Sequence, residues 1–140
     1  MILRPRRSAL YMPGSNARAL EKAKSLPADV LIFDLEDAVS PDSKVAARDQ
    51  VIAAVRQGGY GSREIAVRIN APDTPWGKDD LAAIAEAGPD AILVPKISTP
   101  GDIMMAARSL REAAAPERTR LWAMMETPLA MLNARDIAAA

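Results

Sequence analysis

The sequence predicts an α/β fold, a partial (β/α)8 barrel of about five βα units with parallel strands. Three observations carry this expectation. Short apolar runs alternate with longer stretches of helical pattern, as in repeated βα units. The runs are continuously apolar and rich in branched residues, as in strands buried on both faces. Polar residues gather immediately after every run, at the strand end where such folds carry their chemistry.

The first run, Ser8-Ala9-Leu10-Tyr11-Met12, is stopped by Pro13-Gly14. Ser15 or Asn16 can then cap a helix reaching about residue 26, rich in Ala, Leu, Glu and Lys. Val30-Leu31-Ile32-Phe33 is the second strand. Residues 44–57 read as helix, with Val45, Val51, Ile52 and Val55 on its apolar side, and Gly58-Gly59-Tyr60-Gly61 ends it. Ile65-Ala66-Val67-Arg68-Ile69 is the third strand, and a helix over 79–87 closes at Gly88-Pro89. Ala91-Ile92-Leu93-Val94 is the fourth strand and 101–115 the next helix. Arg120-Leu121-Trp122-Ala123-Met124-Met125 is the fifth strand, followed by a fifth helix from Pro128 to about residue 140.

An open doubly wound sheet is the competing architecture, but its site draws on the strands beside one switch point. Here all five strand ends carry candidate groups: Pro13-Gly14-Ser15, Asp34 with Glu36 and Asp37, Arg68 with Asn70, Lys96, and Glu126-Thr127. That distribution suits a ring of loops around one axis. No G-x-G-x-x-G or Walker motif is present. A barrel of this kind takes about 250 residues. The 140 residues here end in an unpunctuated Ala138-Ala139-Ala140 helix, so the expectation is one N-terminal portion, 1–140, of a larger barrel domain.

Composition narrows the chemistry. The chain has no cysteine and no histidine, which excludes thiolate and imidazole metal sites, Cys nucleophiles and a Ser-His-Asp triad within it. Formal net charge is zero, which favours neither nucleic acid nor a membrane surface as partner. The N-terminal Met1-Ile2-Leu3-Arg4-Pro5-Arg6-Arg7 has basic residues without a following apolar segment, and no run approaches the ~20 residues that span a bilayer. The default expectation is a cytoplasmic protein.

Carboxylates, Arg, Lys, backbone and a hard metal ion are what remain for catalysis. Asp34-Leu35-Glu36-Asp37 puts three carboxylates within four residues at a strand end, where close negative charges call for a cation or protons. A hydrated Mg²⁺ suits such an oxygen-only cluster; the alternative is Asp34 or Asp37 capping a turn beside a solvated Glu36. Arg68 lies in an apolar strand and must have a partner, either a substrate carboxylate or an internal one among Asp34, Glu36 and Asp37. Glu126 suits a Mg²⁺ ligand, while Thr127-Pro128 reads as a helix N-cap followed by proline at the first helical position. Lys96 is either a Schiff-base lysine or, preferred here, a charge partner of the acidic cluster. Arg18, Lys22 and Lys24 could join the Pro13-Gly14-Ser15-Asn16 turn in holding phosphates, or form a solvated helix face.

Taken together, Arg6-Arg7-Ser8-Ala9-Leu10-Tyr11-Met12-Pro13-Gly14-Ser15-Asn16, Asp34-Leu35-Glu36-Asp37-Ala38-Val39 with Lys44 and Ala47-Arg48, Arg68-Ile69-Asn70, Pro95-Lys96 and Met125-Glu126-Thr127-Pro128 resemble the HpcH/HpaI aldolase/citrate lyase superfamily. The likeness is greatest to its acyl-CoA branch of citrate lyase β subunits, malyl-CoA lyases and citramalyl-CoA lyases. The resemblance implies a trimeric or hexameric (β/α)8 barrel that uses Mg²⁺ (Mn²⁺ is an alternative) to cleave a 3-hydroxyacyl-CoA into an acyl-CoA and a 2-oxo acid. It implies Glu126 as a metal ligand and Arg68 as the grip on the substrate carboxylate, with Asn70 beside it. Glu36 and Asp37 would hold metal-bound waters. Tyr11, Pro13, Gly14, Asn16, Arg18, Lys22 and Lys24 would lie where coenzyme A approaches. A second metal-ligating Asp is expected beyond the last residue, since Asp136 does not match it, so the metal site is half built. The alternatives are a class II pyruvate aldolase without CoA, and a non-catalytic half-barrel.

Overall fold

The computed structural model describes residues 4–140. The part of the N-terminal reading that falls on Met1, Ile2 and Leu3 lies outside the described residues. Five strands form one sheet: β1 (Ala9–Pro13), β2 (Val30–Asp34), β3 (Glu64–Arg68), β4 (Ala91–Val94) and β5 (Arg120–Ala123). Every pairing is parallel, and the strands lie side by side in the order of the chain. A doubly wound sheet reverses its order at a switch point. This one never does, so it is an arc of barrel wall, as the distribution of polar strand ends predicted.

The helices are α1 (Ala17–Ala23), α2 (Lys44–Gln57), α3 (Gly77–Ala87), α4 (Pro100–Glu112), α5 (Pro128–Leu132) and α6 (Ala134–Ala139). They start for local reasons. Asn16 accepts the N–H of Ala19 at the head of α1, so Asn16 and not Ser15 is the cap. Thr99 and Asp102 form a reciprocal capping box on α4. Thr127 accepts the N–H of Ala130, with Pro128 at the first helical position of α5. The expected last helix is two short ones, because the chain turns at Asn133, whose side chain donates to the carbonyl of Ser98. Helix α1 is also shorter than expected and ends before the Leu26-Pro27 turn.

Side-chain alternation splits the sheet into two layers. Leu31, Phe33, Ile65, Val67, Ile92 and Val94 point outward to the helices and form the main core with Leu20, Val51, Leu81 and Ile84. Val30, Ile32, Ala66, Ala91 and Leu93 point inward and pack with Trp122 and Met124. On α2 the fully buried stripe is Lys44, Ala47, Val51 and Ala54, with Ile52 and Val55 packed partly against the core as expected, and only Val45 departs from the expected face and stands exposed. The shift has a cause: a buried lysine occupies the position nearest the strand ends.

The base of the arc is tied by the basic N-terminal arm. Arg7 pairs with Asp29, Arg6 with Glu64 and Arg4 with Asp90, one acid at or just before each of β2, β3 and β4. Arg6 also covers the Trp122 ring at 5.2 Å. At the other end, Gly14 donates to the carbonyl of Asp34 at 2.8 Å. A methyl group on Gly14 would stand 2.7 Å from that oxygen and 2.9 Å from Val51 Cγ2. Gly14 is therefore set by close approach to the backbone of β2. Gly14→Ala is expected to cost about 1–3 kcal/mol, read as a lower urea midpoint with an unchanged slope; an unchanged midpoint would contradict the close packing.

Candidate active site

The site grows out of strand register. Parallel pairing sets Asp34, the last residue of β2, beside Arg68, the last residue of β3, with both side chains on the inward face. Their ion pair is bidentate: Arg68 Nε donates to Asp34 Oδ1 and Nη2 to Oδ2, each at 2.7 Å. Asp34 is 1% exposed and Arg68 6%, so each charge is kept in the protein interior by the other. The same carboxylate accepts the N–H of Glu36 at 2.9 Å and of Ala38 at 3.0 Å, which folds the acidic segment into a tight turn over the strand end. Burial pushes Asp34 up, but Arg68 and these two N–H groups outweigh it and hold the carboxyl below its ordinary value.

The third donor nitrogen of Arg68, Nη1, faces the mouth. It lies 3.0 Å from Glu36 Oε2 and 3.4 Å from Asp37 Oδ2. The ring of Tyr11 covers the guanidinium at 5.0 Å, and the Met124 sulfur closes its flank at 3.8 Å. Glu36 Oε2 is buried and receives no aligned hydrogen bond, so its contact with Arg68 is Coulombic only. Burial therefore dominates and raises the Glu36 carboxyl above its ordinary value; Asp37 and Glu126 add to the rise, while Arg68 and Lys96 oppose it. Tyr11 is likewise raised by burial and keeps its phenol proton at neutral pH.

From the far side come Lys96 and Glu126. Lys96 adopts a left-handed backbone, φ 58°, and its N–H donates to Glu126 Oε1 at 3.0 Å. The left-handed region is uncommon for a residue with a side chain and costs some strain, here held by the bond to Glu126. Its ammonium stands between the two acids, 3.8 Å from Glu36 Oε1 and 3.6 Å from Glu126 Oε1. This is the charge-partner arrangement preferred from the sequence. Glu36, Asp37 and Glu126 thus share one mouth with Lys96 and Arg68 among them. Among the described residues, no group of three Asp or Glu side chains is arranged to hold a metal ion by itself.

The remaining expected site residues are placed as follows. Asn70 is buried, and its amide donates to Asp80 at 2.7 Å and to the carbonyl of Leu35 at 2.9 Å, so it supports the acidic turn from below. Pro13 pairs in register with Asp34 at the strand ends, and Gly14 and Asn16 carry the turn and the helix cap. Arg18 is exposed in the first turn of α1. Lys22 and Lys24 correct the expectation that they gather with that turn. Helix α1 runs from the mouth back toward the base, about 10 Å over its seven residues, and Lys24 is engaged there by Glu21 and the Tyr60 ring.

Sequence reasoning missed the support beneath the turn. Asp80 is fully buried and accepts from Arg48 Nε as well as from Asn70. Lys44 is buried too, with its ammonium on the carbonyls of Leu35 and Glu36. The signal available was the three- and four-residue spacing of Lys44, Ala47 and Val51 into α2, which places a lysine on the apolar stripe.

Parallel strands whose carboxyl ends gather acids around one buried arginine make the ligand-bearing mouth of an α/β barrel. Residues 7–140 match the family model described as HpcH/HpaI aldolase/citrate lyase, and the chain belongs to that family. It is 50% identical over 135 residues to a (3S)-malyl-CoA thioesterase of Cereibacter sphaeroides (strain ATCC 17025 / ATH 2.4.3), covering 96% of this chain and 45% of the relative. It is 37% identical to citrate lyase subunit beta of Escherichia coli (strain K12), covering 96% and 46%. Among solved structures, protein CitE from Mycobacterium tuberculosis in complex with magnesium, acetoacetate and coenzyme A superposes with a TM-score of 0.73 at 29% identity, covering 99% and 46%. The chain spans about half the length of the curated relatives it matches. No helix among the described residues is long and apolar enough to cross a membrane.

The raised Glu36 carboxyl has a consequence for stability. A folded carboxyl above its ordinary 4.5 binds protons more readily than the unfolded one, so its charge opposes folding at neutral pH. That cost is present above the raised value and disappears as pH falls through it. Glu36→Gln is expected to raise Tm at pH 7, with the difference closing on titration toward pH 4. A lower Tm at pH 7 would mean that the Glu36 charge supports the fold.

Proposed function

We propose that this chain supplies the Arg68–Glu126 side of a Mg²⁺-dependent carbon–carbon lyase acting on a 3-hydroxyacyl-CoA of the malyl-, citramalyl- or citryl-CoA type. The observation that carries the reading is the gathering of acids around Glu36: its buried Oε2 has no aligned hydrogen-bond donor and lies against Arg68, while its Oε1 faces Glu126 across Lys96. Glu36, Asp37 and Glu126 at one opening favour a further cation, and the ligand atoms they offer are carboxylate oxygens, which fit Mg²⁺ or Mn²⁺ better than softer metals. Glu126 would hold the ion, with Glu36 and Asp37 beside it. When bound, such an ion supplies a Lewis acid toward developing oxyanion charge, worth several kcal/mol.

The chain's own residues bind and orient. Asp34 uses Nε and one Nη2 hydrogen of Arg68, and Nη1 already faces Glu36 and Asp37, so a substrate carboxylate would take the second Nη2 hydrogen and displace the Asp37 contact on Nη1. Because the guanidinium is fixed on its other edges, little orientational freedom remains to be lost on binding. Tyr11 and Met124 cover its faces, exclude water and strengthen the charge contact. In cleavage the substrate hydroxyl loses its proton and its carbon becomes a carbonyl. The bond to the α-carbon breaks, its electron pair passes to the thioester enolate, and that carbon then takes up a proton. No covalent bond to the protein is required. We further propose that the chain works as one portion of a complete homo-oligomeric barrel.

A second reading follows from the thioesterase named among its relatives. The same grip on a malyl-CoA would serve hydrolysis, in which water adds to the thioester carbonyl and the CoA thiol leaves. Products separate the two. Assayed in the complete barrel with malyl-CoA and Mg²⁺, the lyase reading expects acetyl-CoA and glyoxylate, abolished by chelation, with no free thiol. Free CoA and malate would overturn it in favour of the thioesterase, and no turnover of malyl-, citramalyl- or citryl-CoA by that complete barrel would contradict both.

A further inference from the structure

Lys44 is a buried lysine with no carboxylate partner among the described residues. It is 6% exposed, and its ammonium donates only to two consecutive main-chain carbonyls, Leu35 at 2.8 Å and Glu36 at 2.6 Å. The Trp76 ring lies 5.5 Å from the ammonium. Placing a charge in the interior on neutral oxygens alone is costly, and a methionine would fill the same space without that cost. Its position explains what the charge accomplishes. The carbonyls it holds belong to the turn whose side chains are Glu36 and Asp37. Asn70 Nδ2 donates to the same Leu35 carbonyl at 2.9 Å and is itself held by Asp80, which Arg48 anchors.

We infer that Lys44 is a positioning residue for the acidic turn, a fixed internal cation that holds the Glu36 carboxylate at the mouth through the backbone. The turn lies between two buried positive charges. Arg68 engages its side chains from the mouth, and Lys44 engages its main chain from the helix layer. Asp34, Asp80, Glu36 and Asp37 all act on Lys44 over longer distances and favour its charge, against burial, which lowers its pKa. The arrangement fixes the spacing between Glu36 and Glu126 independently of any bound ion. The functional part of this inference rests on the metal reading above; the clamp itself does not.

The test is amide hydrogen exchange together with Mn²⁺ binding, comparing wild type with Lys44→Met. Val55→Ala serves as a control, since it trims the same α2 core about three helical turns from Lys44. The clamp predicts that the amides of Glu36 and Ala38 exchange at least about tenfold faster in Lys44→Met, while the inward-strand amides of Ile32 and Ala66 keep their protection. Val55→Ala, compared at equal global stability, leaves the turn amides unchanged. Mn²⁺ affinity, read by its electron paramagnetic resonance, falls by at least about tenfold in Lys44→Met and not in the control. Unchanged exchange at Glu36 and Ala38 in Lys44→Met would overturn the clamp. Faster exchange with unchanged Mn²⁺ affinity would overturn its positioning role. A wild type that binds no Mn²⁺ would overturn the metal reading and the positioning role with it, leaving exchange to decide the clamp alone. Should Lys44→Met fail to fold, the wild type decides: ammonium protons of Lys44 exchanging as fast as those of an exposed lysine would overturn the proposal.

Discussion

The bidentate pair between Arg68 and Asp34 is the contact on which the mouth depends. It joins the carboxyl ends of adjacent strands, so its geometry comes from sheet register and not from loops. A pair this deeply buried contributes little net stability against a well-packed apolar alternative, yet removing one partner strands the other. Its value lies in what it organises. Asp34 uses its remaining lone pairs to fold the turn carrying Glu36 and Asp37, and Arg68 keeps one nitrogen aimed into the mouth. One arginine thereby serves as structural counter-ion and as candidate substrate grip. Of the two readings that the sequence set against each other, the internal partner is the one observed, and the substrate grip is a proposal for the edge that faces the mouth.

Around that pair the protein separates rigid support from exposed chemistry. Behind the sheet, Lys44, Asn70, Asp80 and Arg48 form a buried polar layer that satisfies nearly every group it contains. In front, the groups are incompletely satisfied: Glu36 has an oxygen without a donor, and Lys96 is strained and half exposed. Such a division is expected where a site is preorganised for a charge that it does not itself supply. The thioesterase and lyase among the family relatives fit this view, since either reaction needs the same grip on an acidic acyl-CoA and differs in where the electrons go.

Much of this was legible in the sequence. Continuous apolar runs located all five strands, and polar strand ends pointed to barrel over open sheet, because periodicity and burial act locally. The acidic segment, Arg68, Lys96 and Glu126 were found because charges beside apolar runs have few innocuous explanations. What stayed hidden depended on depth. Val45 and Lys44 are neighbours on one helix, and hydropathy alone assigns the valine inward; only the carbonyls of Leu35 and Glu36 above Lys44 reverse that choice. Asp80 carries no mark in the sequence, since nothing local shows that Asn70 and Arg48 converge on it. The direction of α1 likewise carried Lys24 away from the mouth, which composition could not register.

The central claim is that Glu36, Asp37 and Glu126 define one cation site at the carboxyl ends of the strands. Paramagnetic broadening by substoichiometric Mn²⁺, read residue by residue in the amide spectrum, addresses it most directly. The account predicts that the amides of Glu36, Asp37, Lys96 and Glu126 broaden together and first, while those of Asp79, Glu86 and Asp136 stay sharp. Broadening centred on these surface acids, with the mouth amides unaffected, would contradict it.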